Sequence, residues 1–273
     1  MIKYVTHPET HARRYFGRNK PKAFYPRLSL KNYLTRSLPN PPPLWNYGRL
    51  AINSLSQMYL NDSLGDCVIA AMAHASGVLT GNATNGAPLI LTAAQIDSLY
   101  SAIGGYVPGD PSTDNGCDIQ TALNYWGVNG LLPSTTEAHK IQGYLAINPA
   151  NISEIQLAIF LFENLIFGVD LPDSWVNPFP SVSNFVWTPE GEPDENNGHC
   201  FTGYAFNKLG VSISTWALEG LITYPAIAQY CASSNQGELY TALSQDSIIT
   251  AKSRAPNGFD WTQLLADFDA IKV

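Results

Sequence analysis

The spacing of apolar residues changes character along this chain, from helical to strand-like and back, and the order of those changes constrains the fold more than any other feature. Up to Phe162 the spacing is helical: Val68, Ile69, Ala71, Met72, Ala75 and Val78 predict a helix over 67–80, ended by Gly81-Asn82. Further helices are predicted over Thr92 to Ile103, Asp118 to Trp126 and Ser153 to Phe162. From Leu165 the pattern becomes that of strands. Ile166 to Leu171 reads as a buried strand and Phe185 to Trp187 as a short one. His199 to Phe206 and Val211 to Trp216 read as a hairpin around Asn207-Lys-Leu-Gly210. Tyr224 to Cys231, Gly237 to Ser244 and Asp260 to Ile271 return to helical spacing. Helices first and strands later predict an α+β protein of two lobes, one helical and one a sheet or barrel.

A proline-rich stretch, Ser37 to Tyr47, is extended by composition and separates the start of the chain from the rest. Three units are expected: a basic N-terminal arm over 1–37, a helical lobe over 38–150, and a β-rich lobe with C-terminal helices over 151–273. The net charge of −7 conceals an asymmetry. Residues 1–37 carry nine Lys or Arg against Glu9 alone, whereas the remainder carries six against twenty-one acids. Charge complementarity predicts that the arm lies on the acidic body. Nucleic-acid binding is the competing use of such an arm, but no zinc-finger or RNP-type pattern supports it.

With 45% apolar residues the chain can bury a sizeable core. No run reaches the roughly 18 apolar residues of a membrane span. Ile155 to Leu171 comes nearest and is broken by Glu163, Asn164 and Asp170. The opening residues lack an apolar export signal, which points to a cytoplasmic or virion-associated protein and to no membrane partner. Cysteines at 67, 117, 200 and 231 form no CxxC pair, so neither a zinc site nor another cofactor is expected.

Cys67 opens the 67–80 helix within Asn61-Asp-Ser-Leu-Gly-Asp-Cys67. A thiol attacks as thiolate, and a helix N-terminus both favours that anion and offers free N–H groups to an oxyanion. Asp66 is the N-cap candidate. His74 lies about 10.5 Å further along the helix axis, too far to serve as base, and reads as a core residue. His199 carries no such bar, and Gly198 before it leaves room for a substrate. His7, His11 and His139 sit in polar segments and read as surface residues. Gly104 to Gly116 reads as a long loop of the kind that carries function.

These residues resemble the papain-like cysteine peptidases. In that family a glutamine six positions before the nucleophile helps form the oxyanion hole, and Asn61 stands at that position. Gly198-His-Cys-Phe-Thr-Gly-Tyr204 is similar to the family's Gly-His-Ala-Val-x-x-x-Gly-Tyr, and Ser214-Thr-Trp-Ala217 to its Asn-Ser-Trp-Gly. Pro43-Leu-Trp45 and Asn115-Gly-Cys-Asp118 supply weaker echoes, so the likeness spans residues 39–217 as islands, closest to divergent bacterial and phage members. The resemblance implies a cleft between the lobes with Cys67 on its floor, His199 facing it, Asn61 at the oxyanion and Ser214 orienting the histidine. Thr215 replaces Ser214 in that role if the hairpin register differs by one. Leu64 stands where many relatives carry the disulfide partner of the loop cysteine, which leaves Cys117 unpaired and favours a reducing compartment.

The activity so implied is hydrolysis of a peptide or isopeptide bond through a Cys67 acyl-enzyme, on a peptide or protein substrate. Transfer to an amine, as in a transpeptidase, uses the same chemistry. The altered positions at Asn61 and Ser214 motivate an alternative, an inactive papain-like component of a phage particle or other assembly. In that case the basic arm would anchor a protein partner; in the enzyme it would be an inhibitory extension.

Overall fold

The computed structural model describes residues 3–22, 27–35, 40–133, 135–255 and 257–271, so the boundary expected near residue 38 lies outside them. Strand β1 (Tyr4–Thr6) pairs antiparallel with β2 (Arg13–Tyr15) in a small ribbon. After β3 (Trp45–Asn46) and the one-turn helix α1 (Ile52–Leu55) come α2 (Cys67–Ala83), α3 (Ala93–Gly104) and α4 (Ile119–Asn129). The chain continues through β4 (Gly143–Ala146), α5 (Ile152–Phe162), β5 (Leu165–Asp170), α6 (Asp173–Val176) and β6 (Phe185–Trp187). Then follow β7 (Gly198–Phe206), β8 (Gly210–Thr215), β9 (Leu218–Thr223), α7 (Tyr224–Tyr230), β10 (Glu238–Leu243), α8 (Gln245–Arg254) and α9 (Trp261–Ile271).

Local sequence explains where the helices start. Thr92 accepts from the Gln95 N–H while the Gln95 side chain accepts from the Thr92 N–H, a reciprocal cap that opens α3, and Gly105 ends it at φ 73°. Asp118 and Asn151 cap α4 and α5 by accepting from Thr121 and Glu154 N–H groups. Helix α2 is buried on almost every side, as a helix that is apolar all round must be. It runs past the expected stop at Gly81-Asn82, where the Asn82 amide donates to the Val78 carbonyl within the helix and to the Tyr47 carbonyl outside it. Helix α4 likewise continues through Gly127 to Asn129.

The main sheet has the order β4-β10-β5-β7-β8-β9-β6, antiparallel except for β6 on β9, with β3 beside the far half of β7. One apolar cluster gathers α2, α3 and α4 with Ile166, Cys200, Tyr240 and Ala242. A second fills the other side of the sheet, built from α5, β7 to β9 and the C-terminal helices. This is the mixed α+β, two-lobe arrangement expected from the order of the patterns, and β7 is shared between the lobes. Cys200 packs in the helical cluster and Phe201 in the other. Thr202 donates to the Ala71 carbonyl at 2.6 Å and fastens the strand to α2.

Two expectations are corrected. Gly237 to Ser244, read as helical, is strand β10, paired with β4 and β5. Both of its faces are buried, so Glu-Leu-Tyr-Thr-Ala-Leu shows no apolar and polar alternation, and the long-range pairing decides its conformation. Helix α8 follows it, capped by Ser244, and was not anticipated. His7, expected at the surface from its polar segment, is buried against Phe179 at 5.2 Å, its Nδ1 accepting from the Glu9 and Thr10 N–H groups.

Glu163 gives the fold a measurable pH dependence. It ends α5 in the left-handed region at φ 74°, and burial, with Asp246 adding to it, pushes its carboxyl up to about 8. Between its ordinary value and about 8 the folded chain holds a proton that the unfolded chain has released. The stabilisation is therefore complete below the ordinary carboxylate range and is lost as pH rises through about 8. Glu163→Gln should flatten chemical-denaturation stability over this window, removing a total change of up to a few kcal/mol.

Candidate functional site

Cys67 is the first residue of α2 and is fully buried. Asp66 occupies the N-cap position but makes no side-chain cap, contrary to expectation. Its carboxyl is buried beside Asn61 with neither oxygen in a hydrogen bond of normal geometry, and burial holds it well above the usual carboxylate range. Asp66 adds to the burial that raises the neighbouring Cys67 thiol. The turn before the helix is held instead by Asp114, whose two carboxylate oxygens share the Gly65 N–H at 3.2 Å each. Tyr100 donates to Asp114 at 2.6 Å and accepts from the Gly116 N–H at 2.8 Å. Asp114 and Tyr100 thus tie the turn before Cys67 to the loop over 104–116.

His199 is the second residue of β7 and is fully buried. Its Nε2 lies 2.7 Å from Thr215 Oγ1, and its ring stacks on Trp216 with centroids 4.4 Å apart. Ser214, which the family resemblance places beside the histidine, does not touch it; its hydroxyl donates to the Leu55 carbonyl at 2.6 Å. Strand parity is the reason. Thr202 pairs with Ser214 and Gly203 with Ile213, so Ser214 shares the helix-facing side with Thr202, while Thr215 shares the opposite side with His199. The register shift of the hairpin falls between Gly203 and Ala205, beyond the histidine.

The turn after Thr215 is unusual. Trp216 and Ala217 both have positive φ, 52° and 62°, in the two-residue connection between paired Thr215 and Leu218. Asn-Gly is the favoured pair for such a turn, and a left-handed non-glycine residue costs on the order of 1–2 kcal/mol. Here the strained turn lays an indole over the imidazole, where it excludes water from the histidine and its hydroxyl partner.

The basic arm threads this site. The Tyr15 N–H donates to the Asn61 carbonyl at 3.2 Å, and the Asn61 amide donates to the Tyr15 and Leu64 carbonyls at 3.2 and 3.1 Å. Phe16 packs edge-on against His199 at 6.0 Å, and the Gly17 and Cys200 N–H groups face the Cys67 thiol. The Arg18 N–H donates to the Gly198 carbonyl at 3.1 Å. Cys117 donates to the Gly17 carbonyl at 2.9 Å and accepts from the Asn19 N–H at 3.0 Å. Ion pairs run outward along the arm: Arg18 with Asp170 and Glu238, Lys20 with Glu195, Lys3 with Asp194 and Lys22 with Asp118. The arm lies on the acidic body, as its charge predicted, and it fills the groove between Cys67 and His199.

Enclosure fixes the protonation states. Burial pushes the Cys67 thiol up to about 12, against the Gly17 and Cys200 N–H groups that favour the thiolate, and pushes His199 down to about 3. His199 Nδ1 is buried with no hydrogen-bond partner, so no bond joins the two side chains. With the arm seated, the pair is a neutral thiol and a neutral imidazole. Cys67, Cys117, Cys200 and Cys231 are all free thiols. His74 is a core residue as read, its Nε2 3.0 Å from the Gln57 carbonyl and burial lowering it to about 4. No group of side chains suited to a metal ion occurs among the described residues, and no described helix is long and apolar enough to cross a membrane.

No family model matches the chain, and a search of curated proteins finds no match. Solved structures do match. The chain is similar to xylellain, a cysteine protease from Xylella fastidiosa, at 14% identity and TM-score 0.57, covering 84% of this chain and 97% of that one. The Amb a 11 cysteine protease, a major ragweed pollen allergen, in its proform, matches at 11% identity and TM-score 0.56, with 81% and 71% covered. Digestive procathepsin L2 proteinase from Tenebrio molitor larval midgut matches at 13% identity and TM-score 0.55, with 77% and 70% covered. The fold is that of the papain-like cysteine proteases. At these identities the likeness fixes the fold alone, and the chemistry rests on the site.

Proposed function

We propose that this protein is a papain-type thiol hydrolase of a peptide or isopeptide bond, held latent by its own N-terminal arm. One observation carries the reading: an extended peptide segment, Tyr15 to Asn19, runs through the groove with its backbone bonded to Asn61, Gly198 and Cys117 and passes directly over Cys67. A groove that binds a peptide backbone across a thiol at a helix N-terminus is suited to acyl transfer. That two of the similar structures are described as a proform and a procathepsin agrees with latency.

With the arm withdrawn and a substrate in its place, His199 Nδ1 takes the Cys67 proton and the thiolate sulfur attacks the scissile carbonyl carbon. The Asn61 amide, which now donates to a peptide carbonyl of the arm, would donate with the Cys67 N–H to the oxyanion. His199 returns the proton to the leaving amine. Water, deprotonated by the same nitrogen, then frees the acid product and restores the thiol. Thr215 fixes the ring through Nε2.

The test compares Cys67 with a free model thiol in iodoacetamide alkylation near neutral pH, once the arm is released. Faster reaction that depends on His199, together with cleavage of a peptide mixture, supports the hydrolase. If Cys67 reacts no faster and His199→Ala leaves the rate unchanged, that reading fails and the inactive structural component stands. Thr215 and Ser214 are separable in the same assay. Thr215→Val should lower kcat/KM roughly 10- to 100-fold by freeing the ring. Ser214→Ala should leave kcat/KM nearly unchanged while costing about 1–3 kcal/mol of stability through the orphaned Leu55 carbonyl.

A further inference from the structure

The Arg18 side chain occupies a pocket whose walls belong to the body of the chain. Its guanidinium is completely buried, with Nη1 2.9 Å from Asp170 and Nη2 3.3 Å from Glu238 and also donating to the Gln236 carbonyl. Glu238 is braced by the Tyr240 hydroxyl at 2.9 Å. Room for the guanidinium comes from Gly168, where an added Cβ would stand 2.9 Å from Arg18 Nε and 2.9 Å from Glu238 Cγ. Asp194 and Glu195 add negative charge at the mouth, paired with Lys3 and Lys20 of the arm. Burial raises the carboxyls of Asp170 and Glu238, and Arg18 pulls both back toward ionisation. Two buried carboxylates demand a cation, and the acceptors around this one are met by the two arms of its guanidinium fork.

The geometry points to Asp170 and Glu238 as the specificity pocket of this groove, selecting a peptide substrate that places an arginine beside the Cys67 attack site. The inference rests on the hydrolase reading for its substrate and on the seated arm for its ligand class. Arg18 is adjacent to Gly17, whose N–H faces the thiol, and its own N–H is bonded to Gly198, next to His199. A peptide held by the same Cys117 and Gly198 backbone groups would reach the same pocket with one side chain. Lysine would fit less well, because one ammonium cannot serve Asp170, Glu238 and the Gln236 carbonyl with the planar fork that guanidinium offers.

The test uses the full chain carrying Gly17→Val, a change that prevents the arm from seating. Two probes are applied: a fluorescein-labelled octapeptide of the sequence of residues 13–20, read by anisotropy, and a mixture of unrelated decapeptides, whose cleavage is read by mass spectrometry. Replacing the arginine of the octapeptide that corresponds to Arg18 with norleucine should weaken binding at least about 30-fold. Cleaved decapeptides should be enriched in arginine within two residues of the cut. Asp170→Asn with Glu238→Gln should abolish both preferences. Equal binding of the norleucine peptide overturns the pocket without relying on any substitution in the pocket itself. Cleavage with no arginine preference also overturns it, while leaving the hydrolase reading intact. Arginine-dependent binding with no cleavage of any peptide has the opposite meaning: the pocket stands as an arginine receptor and the hydrolase reading fails.

Discussion

Gly17→Val should expose Cys67 and raise its alkylation rate in the full chain about 100-fold or more. At Gly17 the arm passes between two backbones, and an added Cβ would overlap the carbonyl group of Gly65. On the other wall Gly116, at φ 70°, sits so close that a Cβ there would overlap the Gly17 carbonyl. No side chain can be turned aside at such a place, so valine forces the arm out. A thiol at about 12 is thiolate for only about 3 parts in 100,000 near pH 7.5, whereas an exposed thiol at about 8.5 is thiolate for about one part in ten. The roughly 3,000-fold gain is partly offset by the weaker intrinsic nucleophilicity of the more acidic thiol, leaving on the order of 100-fold. Relief of steric closure adds to this. Unchanged alkylation, with circular dichroism showing the body folded, would mean that the arm does not guard the thiol.

The parts of the site that lie within one element were legible before the structure. Cys67 at a helix start follows from the apolar run after it, and the removal of His74 follows from helix rise. Those inferences use the short-range periods that sequence displays. The hydroxyl that meets His199 is ambiguous by one position in the sequence because alternation does not say which face of a hairpin meets the histidine. Pairing of Thr202 with Ser214 decides it for Thr215. The acidic pocket was hidden for a different reason. Asp170 read as an interruption of an apolar run, and Glu238 lay in a segment read as helical. The two meet because β10 pairs with β5, with Glu238 opposite Gly168. The charge of the arm predicted contact with the body but carried no information on which groove it enters.

Arg18→Ala should release the arm almost as effectively as valine at position 17, by removing its anchor instead of its path. The substitution leaves Asp170 and Glu238 buried with no cation, and breaking a buried pair from one side costs roughly 3–5 kcal/mol. That is about 200-fold or more in the ratio of seated to released arm, read as faster Cys67 alkylation and a lower denaturation midpoint. The carboxyls carry the cost, so removing them should repair it. Arg18→Met combined with Asp170→Asn and Glu238→Gln replaces the whole charged cluster by neutral groups of similar volume, an exchange that is often close to neutral. The triple variant should therefore protect Cys67 far better than Arg18→Ala does. The non-additivity between the arm and pocket changes measures the coupling directly, and values of 0.5–3 kcal/mol are typical for groups in contact. Additive effects would show that the backbone bonds to Asn61, Gly198 and Cys117 hold the arm, with Arg18 contributing little. Arg18→Lys separates charge from geometry: it keeps one cation but loses the fork, and protection should fall between that of the native chain and that of Arg18→Ala.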